Sequence, residues 1–331
     1  MFDKSVLITG CDSGIGFGLC KRLVERGFYI IAICRTEAGK NNVEEVFVKF
    51  KNKENATNTD EVDQDKHSEH TSTEDVGIVT VLDITCEKSI KQLVSTYVEL
   101  NKADKIPKLY AIINNAAIWR FSTLEECLVN DNSIHEEIER WKNVINTNVL
   151  GSVTTSLYFI PLLRVYKGLK PRVIFISSVL GECAIPGQCS YISSKFAIRG
   201  FHESLLHELV NNNIFSICIS PGPVRNTNLF SDLDDYEADQ SYRCKHTRAI
   251  KDSLRKLRNY GSSIDKVVAA VVCALESRRP KKHRNPAGTF VFRLAKFLPK
   301  LIYIKLVRFV LSNNRVLDNK LVQMPLKYIF R

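Results

Sequence analysis

Tyr191 and Lys195 are four residues apart in Tyr191-Ile192-Ser193-Ser194-Lys195, which on a helix puts both side chains on one face. A free tyrosine ionises near pH ~10 and is a poor base at neutral pH. An ammonium beside it stabilises the phenolate, so such a pair can move a proton. A downshift of about three units corresponds to about 4 kcal/mol, which nearby cations in a partly dry site can supply. Ser178 lies thirteen residues upstream of Tyr191, just past the apolar run Arg172–Ser177. Its hydroxyl can hold the oxygen that gains or loses the proton. A lone Tyr-x-x-x-Lys arises easily by chance, and its bland reading is a tyrosine on a helix surface. The weight therefore falls on the elements that would position these groups.

A second constellation stands at the start of the chain, Thr9-Gly10-Cys11-Asp12-Ser13-Gly14-Ile15-Gly16. It follows an apolar strand, Ser5–Thr9, and opens a helix, Ile15–Arg26, with a second strand, Phe28–Cys34, behind it. Gly10 permits the sharp turn, and Gly14 lets backbone approach a pyrophosphate on the positive end of the helix. Gly16 permits close helix–strand packing. A dinucleotide site built from Gly10, Ser13, Gly14, Ile15 and Gly16 is expected. NAD-binding chains usually carry an acid at the end of the second strand. Here the sequence is Cys34-Arg35-Thr36. A guanidinium pairs with a 2′-phosphate and stacks on adenine, so the expected cofactor is NADP(H). An ordinary surface cation is the competing reading of Arg35. Asp83, closing the third strand, could accept from the adenine amino group.

The intervening pattern alternates strands and helices. Further strands are expected at Ile78–Leu82, Leu109–Ile113, Arg172–Ser177 and Phe215–Ser220, with helices at Ile90–Leu100 and Tyr191–Val210. Continuous apolar strands alternating with helices predict an α/β fold. The expected form is a single Rossmann-type doubly wound parallel sheet with helices on both faces. Residues 1–276 would form the catalytic domain, and 277–331 a basic, amphipathic helical extension. Lys49–Val76 is polar and reads as a flexible surface insertion. His67 and His70 within it are taken as solvated residues, and no metal site is expected. Asn226–Tyr260 is polar and charged and reads as a substrate loop at the carboxyl end of the sheet.

The net charge of +11 is uneven. Ser277–Arg331 holds 14 Lys and Arg against one acid, Asp318, while the rest holds 33 bases and 35 acids. A near-neutral body argues against nucleic-acid binding. The stretch Phe290–Leu311 mixes apolar residues with Arg293, Lys296, Lys300, Lys305 and Arg308. It could lie on an anionic membrane surface or cap the substrate pocket, and the sequence leaves both open. No spanning helix and no signal peptide are read, so a cytoplasmic protein is expected, with membrane association through the tail left open. The ten cysteines form no C-x-x-C pair and are expected to be reduced core thiols.

With the glycine loop, Asn114-Asn115-Ala116, Asn148, Ser178, Tyr191, Lys195 and Pro221-Gly222 in this order, the chain resembles the short-chain dehydrogenase/reductase family over about residues 3–230. The resemblance implies hydride transfer between a nicotinamide and an alcohol or carbonyl. Tyr191 would be the proton donor and acceptor, with Ser178 holding the substrate oxygen. Lys195 would also hold the nicotinamide ribose, and Asn148 a water linking Lys195 to solvent. Asn115, Ala116, Pro221, Val224 and Thr227 would contact cofactor. Ala117 replaces the family's usual glycine, which is tolerable if its φ is negative. The family's threonine comes one residue earlier than Thr227, so Asn226 and Thr227 compete for its role. Within the family the chain looks most like retinol and hydroxysteroid dehydrogenases, which implies a hydrophobic substrate and a homodimer. The competing functions are reduction of small carbonyls or acyl thioesters, and a non-catalytic NADP(H)-binding sensor or scaffold.

Overall fold

The computed structural model describes residues 2–57, 75–123, 127–128, 131–225, 227, 229, 245–259, 261–286, 299, 301–303 and 305. The chain runs β1 (Ser5–Thr9), α1 (Gly14–Val24), β2 (Tyr29–Cys34), α2 (Glu37–Thr57), β3 (Gly77–Val81), α3 (Glu87–Lys102) and β4 (Leu109–Asn114). It continues with α4 (Asp131–Ile145), α5 (Ser152–Leu163), β5 (Arg172–Ile176), α6 (Cys189–Glu208) and β6 (Phe215–Ile219). It closes with α7 (Lys245–Asn259), α8 (Ile264–Glu276) and β7 (His283–Arg284). The strands form one seven-stranded sheet in the order β3-β2-β1-β4-β5-β6-β7, every pair parallel. The order reverses between β1 and β4, where a doubly wound sheet opens its crevice.

The central strands are apolar at successive positions because both faces are covered. Val6 and Ile8 of β1, with Ile30, Ala32 and Cys34 of β2, pack on one side against Leu19, Leu23, Val267 and Val271. Leu7, Ile31 and Ile33 point to the other side, onto Ile90, Phe159, Leu163 and Ile198. Helices α1, α2 and α8 thus cover one face, and α3, α5 and α6 the other.

Three expectations change. The insertion read at Lys49–Val76 begins as helix, because α2 runs on to Thr57. Its stripe Val43, Phe47 continues to Phe50, and Lys49 pairs with Glu45 one turn back at 2.9 Å. Residues 58–74, with His67 and His70, lie outside the described residues. The substrate loop read at 226–260 contains a helix, α7. Ile250, Leu254 and Leu257 recur at helical spacing among lysines and arginines that mask the stripe in composition. The two-residue strand β7, which pairs with Cys218 and Ile219, was not foreseen. It is too short to carry a periodic signal.

Most of the basic extension lies outside the described residues, including most of the stretch weighed for membrane contact. Pro299 accepts from the N–H groups of Ile302 and Tyr303, a single turn of helix. No helix among the described residues is long and apolar enough to cross a membrane.

Candidate active site

The glycine loop is built by close contact. Gly10 has φ +72°, and a Cβ there would stand 2.7 Å from the Cα of Ala116. A Cβ on Gly16 would lie 2.0 Å from the Gly10 carbonyl oxygen and 2.7 Å from Asn115 Nδ2. Asn115 explains the crowding. Its Nδ2 donates to the carbonyls of Thr9 and Gly10, both at 3.0 Å, while its N–H and that of Ala116 donate to Thr9 Oγ1. The side chain ties β4 to the loop, and the residue also lines the cleft. Ala117 has no positive φ, so its extra methyl is tolerated.

A cleft of about 810 Å³ opens at the switch point. Gly10, Ser13, Gly14, Ile15, Arg35, Asp83, Asn115, Ala116, Pro221, Val224 and Thr227 line it, together with Ser178, Tyr191 and Lys195. Gly16 and Asn148, also expected at the site, do not form its wall. Ser13 starts α1 in an extended conformation, and its hydroxyl does not cap the helix. A loop with no room for side chains and an uncapped helix N-terminus fit a pyrophosphate. Thr227 lies on this wall against Gly14, whereas Asn226 falls outside the described residues.

Asp12, in the middle of the glycine loop, was overlooked in the sequence. Its carboxylate accepts from Arg35 N–H at 2.9 and 3.0 Å, from Thr36 N–H at 2.9 Å and from Thr36 Oγ1 at 2.8 Å. It clamps the loop to the end of β2 and puts a negative charge beside Arg35. An acid inside a glycine loop was the available signal. Arg35 is exposed, and its guanidinium makes no ion pair among the described residues.

At the other end, Ser178 starts a short turn after β5, and its Oγ accepts from Leu180 N–H at 3.1 Å. Tyr191 and Lys195 sit on α6 as their spacing required, both buried. Lys195 Nζ donates to the Ile176 carbonyl at 2.9 Å and lies 5.4 Å from the centre of the Tyr191 ring. Burial pushes the Tyr191 phenol above its ordinary value, opposed by its hydrogen bond with Ser178. Burial also lowers Lys195 to about 8. The polypeptide alone therefore drives both groups toward neutrality, rather than lowering Tyr191 as the spacing suggested. The reason is burial, which disfavours the charged form of each group.

Lys195 predicts a stability effect. Its ordinary value of 10.5 applies to the unfolded chain, so between pH about 8 and 10.5 the unfolded chain binds more protons. This group then adds stability as pH rises through that window and costs stability below it. Chemical denaturation of Lys195→Met should lack this rise, and its stability advantage over wild type should be larger at pH 7 than at pH 10. A difference independent of pH would show that the lysine is not buried as described.

Asn148 sits on a π-helical segment, Asn146–Gly151, joining α4 to α5. Such bulges re-aim side chains. Its Oδ1 accepts from Ile118 N–H at 2.8 Å, and its Nδ2 donates to the Ile118 carbonyl and Ser194 Oγ, both at 2.9 Å. Ser194 Oγ donates to the Tyr191 carbonyl at 2.6 Å. The amide is spent on protein groups, so Asn148 positions the loop after β4 against α6. Its side chain makes no hydrogen bond to Lys195.

Beside Tyr191 the wall is backed by an apolar cluster, while Arg120, Gln188 and Arg258 add polar groups to the lining. Trp119, Phe121, Val179, Leu180, Ile250 and Leu254 form a cluster around Tyr191, against which Tyr303 packs. Tyr303 Oη donates to the Ala184 carbonyl at 2.5 Å. Part of the C-terminal extension therefore touches the pocket wall.

A family model described as short chain dehydrogenase matches residues 4–73 and 57–238. Mitochondrial D-beta-hydroxybutyrate dehydrogenase of Mus musculus is 31% identical over 231 residues, covering 69% of this chain and 57% of that protein. Retinol dehydrogenase 5 of Homo sapiens is 31% identical over 228 residues, covering 68% and 59%. The crystal structure of a short-chain dehydrogenase from Streptomyces avermitilis superposes with a TM-score of 0.66 at 17% identity. It covers 96% of this chain and 97% of the other, and shows the shared fold.

Proposed function

The chain belongs to the short-chain dehydrogenase family, and on that premise we propose that it is an NADP(H)-dependent alcohol dehydrogenase or carbonyl reductase acting on hydrophobic alcohols and their carbonyls, of the retinol or hydroxysteroid kind. The observation that carries the reading is the meeting of Ser178, Tyr191 and Lys195 on one cleft wall, between the glycine loop and an apolar cluster. A bound nicotinamide supplies or takes up the hydride and, when oxidised, adds a positive charge. In reduction, Tyr191 Oη gives its proton to the substrate oxygen, and in oxidation it takes that proton back. Ser178 Oγ holds the same oxygen. Lys195 supports the phenolate electrostatically, and the aromatic and aliphatic wall keeps water away. The name of the retinol dehydrogenase relative supports a lipophilic alcohol. That of the hydroxybutyrate relative supports a second reading, an oxidised hydroxy acid.

Arg35 supports the phosphorylated cofactor, since an exposed guanidinium lining the cleft at the end of β2 would suit a 2′-phosphate. Asp12 supports the alternative, NAD(H), because its carboxylate beside Arg35 would repel that phosphate. Fluorescence titration with NADPH and NADH separates the two. On the first reading Arg35→Asp weakens NADPH tenfold or more and spares NADH. On the second, wild type prefers NADH, and Asp12→Asn, which keeps an acceptor for Arg35 and Thr36, strengthens NADPH. The activity itself is tested by loss of NADPH absorbance with retinal, a ketosteroid, a quinone and an acetoacetyl thioester. No loss with any carbonyl, using either nucleotide, would sink the oxidoreductase reading in favour of a non-catalytic binder.

A further inference from the structure

The segment that presents Ser178 is a single tight turn, Val179–Gly181, so its register on the rest of the fold must be fixed from outside it. The turn sits directly on α6. A Cβ on Gly181 would stand 2.8 Å from the Lys195 carbonyl oxygen, and Ser177 Oγ donates to that carbonyl at 3.3 Å. The next residue, Glu182, sets its carboxylate 3.2 Å from the Arg199 guanidinium. The two side chains are only 10% and 20% exposed. Arg199 lies four residues beyond Lys195, which lies four beyond Tyr191, so one face of α6 carries all three. Asn285, just past β7, donates from Nδ2 to the same Glu182 oxygen at 3.5 Å. One carboxylate thus joins the serine turn, the helix of the proton-transfer pair and the sheet edge. A largely buried ion pair adds little net stability over an apolar contact of the same volume. What it supplies is direction: charged groups fix one register, where an apolar contact would let the turn slide along the helix.

We propose that Glu182 and Arg199 are positioning residues, whose ion pair sets the serine turn on α6 so that Ser178 Oγ and Tyr191 Oη converge on one substrate oxygen. Neither side chain lines the cleft, so their effect on turnover passes through the groups they hold. This role rests on the oxidoreductase reading and deepens it. A hydroxyl that must meet an oxygen in the transition state is sensitive to displacement, and a shift of about 1 Å can cost up to about 100-fold in rate. Binding of the nucleotide and of the substrate's apolar part does not depend on that hydroxyl, so the loss falls on kcat and spares KM.

The test uses the full chain with its preferred nicotinamide and the carbonyl, among the four above, that it reduces fastest. Glu182→Leu alone leaves a cation behind and can weaken folding, so the deciding variant is the double one, Glu182→Leu with Arg199→Leu. Replacing both charges by apolar groups should leave the denaturation midpoint near wild type or above it. The kcat should nonetheless fall by about 10–100-fold, with KM and nucleotide affinity little changed. In a Ser178→Ala background the same pair of changes should cost little, because no serine hydroxyl remains to be misplaced. The reversed pair, Glu182→Arg with Arg199→Glu, should recover most of kcat. It is made with Glu203→Gln, since Glu203 accepts from Arg199 Nε at 2.9 Å and would repel an acid there. Wild-type kcat in the double leucine variant, or an undiminished loss in the Ser178→Ala background, overturns the proposal. If wild type reduces none of the carbonyls, the oxidoreductase reading fails, and amide hydrogen exchange still decides whether the pair sets the turn. The N–H groups of Leu180 and Gly181 donate to Ser178 Oγ and to the Ser178 carbonyl. Their exchange should quicken in the double leucine variant while that of Ile198, within α6, stays slow. Unchanged exchange at Leu180 and Gly181 removes the inference.

Discussion

Replacing Tyr191 by Phe should lower kcat/KM by about 10²–10⁴-fold, the range that a positioned proton donor contributes. The ring stays, so its packing with Trp119, Val179 and Ile192 is kept. The hydroxyl is lost, and with it the hydrogen bond to Ser178. Because burial already holds this phenol neutral, the folded chain at pH 7 loses one hydrogen bond and no buried charge, an effect of about 1 kcal/mol on stability. Nucleotide binding should change little, since no other part of the cleft depends on that oxygen. The combination to be measured is a large loss of turnover with a near-constant melting temperature and nucleotide affinity. Turnover within threefold of wild type would remove Tyr191 from the chemistry, whatever its spacing from Lys195.

Gly16→Ala should cost the protein both its nucleotide site and part of its stability. The added methyl would sit 2.0 Å from the Gly10 carbonyl oxygen, and backbone cannot yield as the far end of a side chain can. Either α1 moves off β1 or the loop opens, and each breaks the bonds by which Asn115 holds Thr9 and Gly10. Overpacking of this kind costs about 1–3 kcal/mol, read as a lower denaturation midpoint. Nucleotide affinity should fall by tenfold or more, because the anion site depends on that loop. Gly200→Ala is the control: it lies on α6, a Cβ there meets nothing within 4 Å, and alanine favours helix. If both variants behave alike, the close approach at Gly16 is not what shapes the loop.

The Tyr191–Lys195 spacing, the glycine loop and the alternating apolar runs were legible because each rests on local rules. Helical periodicity puts residues four apart on one face, and a strand buried on both sides must be apolar throughout. These rules yielded the parallel sheet, the helix carrying the pair, and the cleft end where Ser178 would stand. Helix α7 was hidden because its stripe of Ile250, Leu254 and Leu257 is diluted by lysine and arginine, whose charge dominates composition.

What tertiary structure alone decided is where each polar atom is spent. Asn115 and Asn148 look from sequence like ligand-binding amides, yet their donors are committed to Thr9, Gly10, Ile118 and Ser194. Asp12 becomes a partner of Arg35 only when the first loop meets the end of β2. Lys195 was expected to lower Tyr191 by proximity, but its ammonium points to a carbonyl and burial sets both values. Gln188 gains a direction because Trp119, far off in the chain, presents an N–H that only an oxygen can accept. Sequence thus determined the fold class and the residue types of the chemistry, since these depend on near neighbours. The assignment of donors to acceptors depends on contacts between distant segments, and only the folded chain could make it.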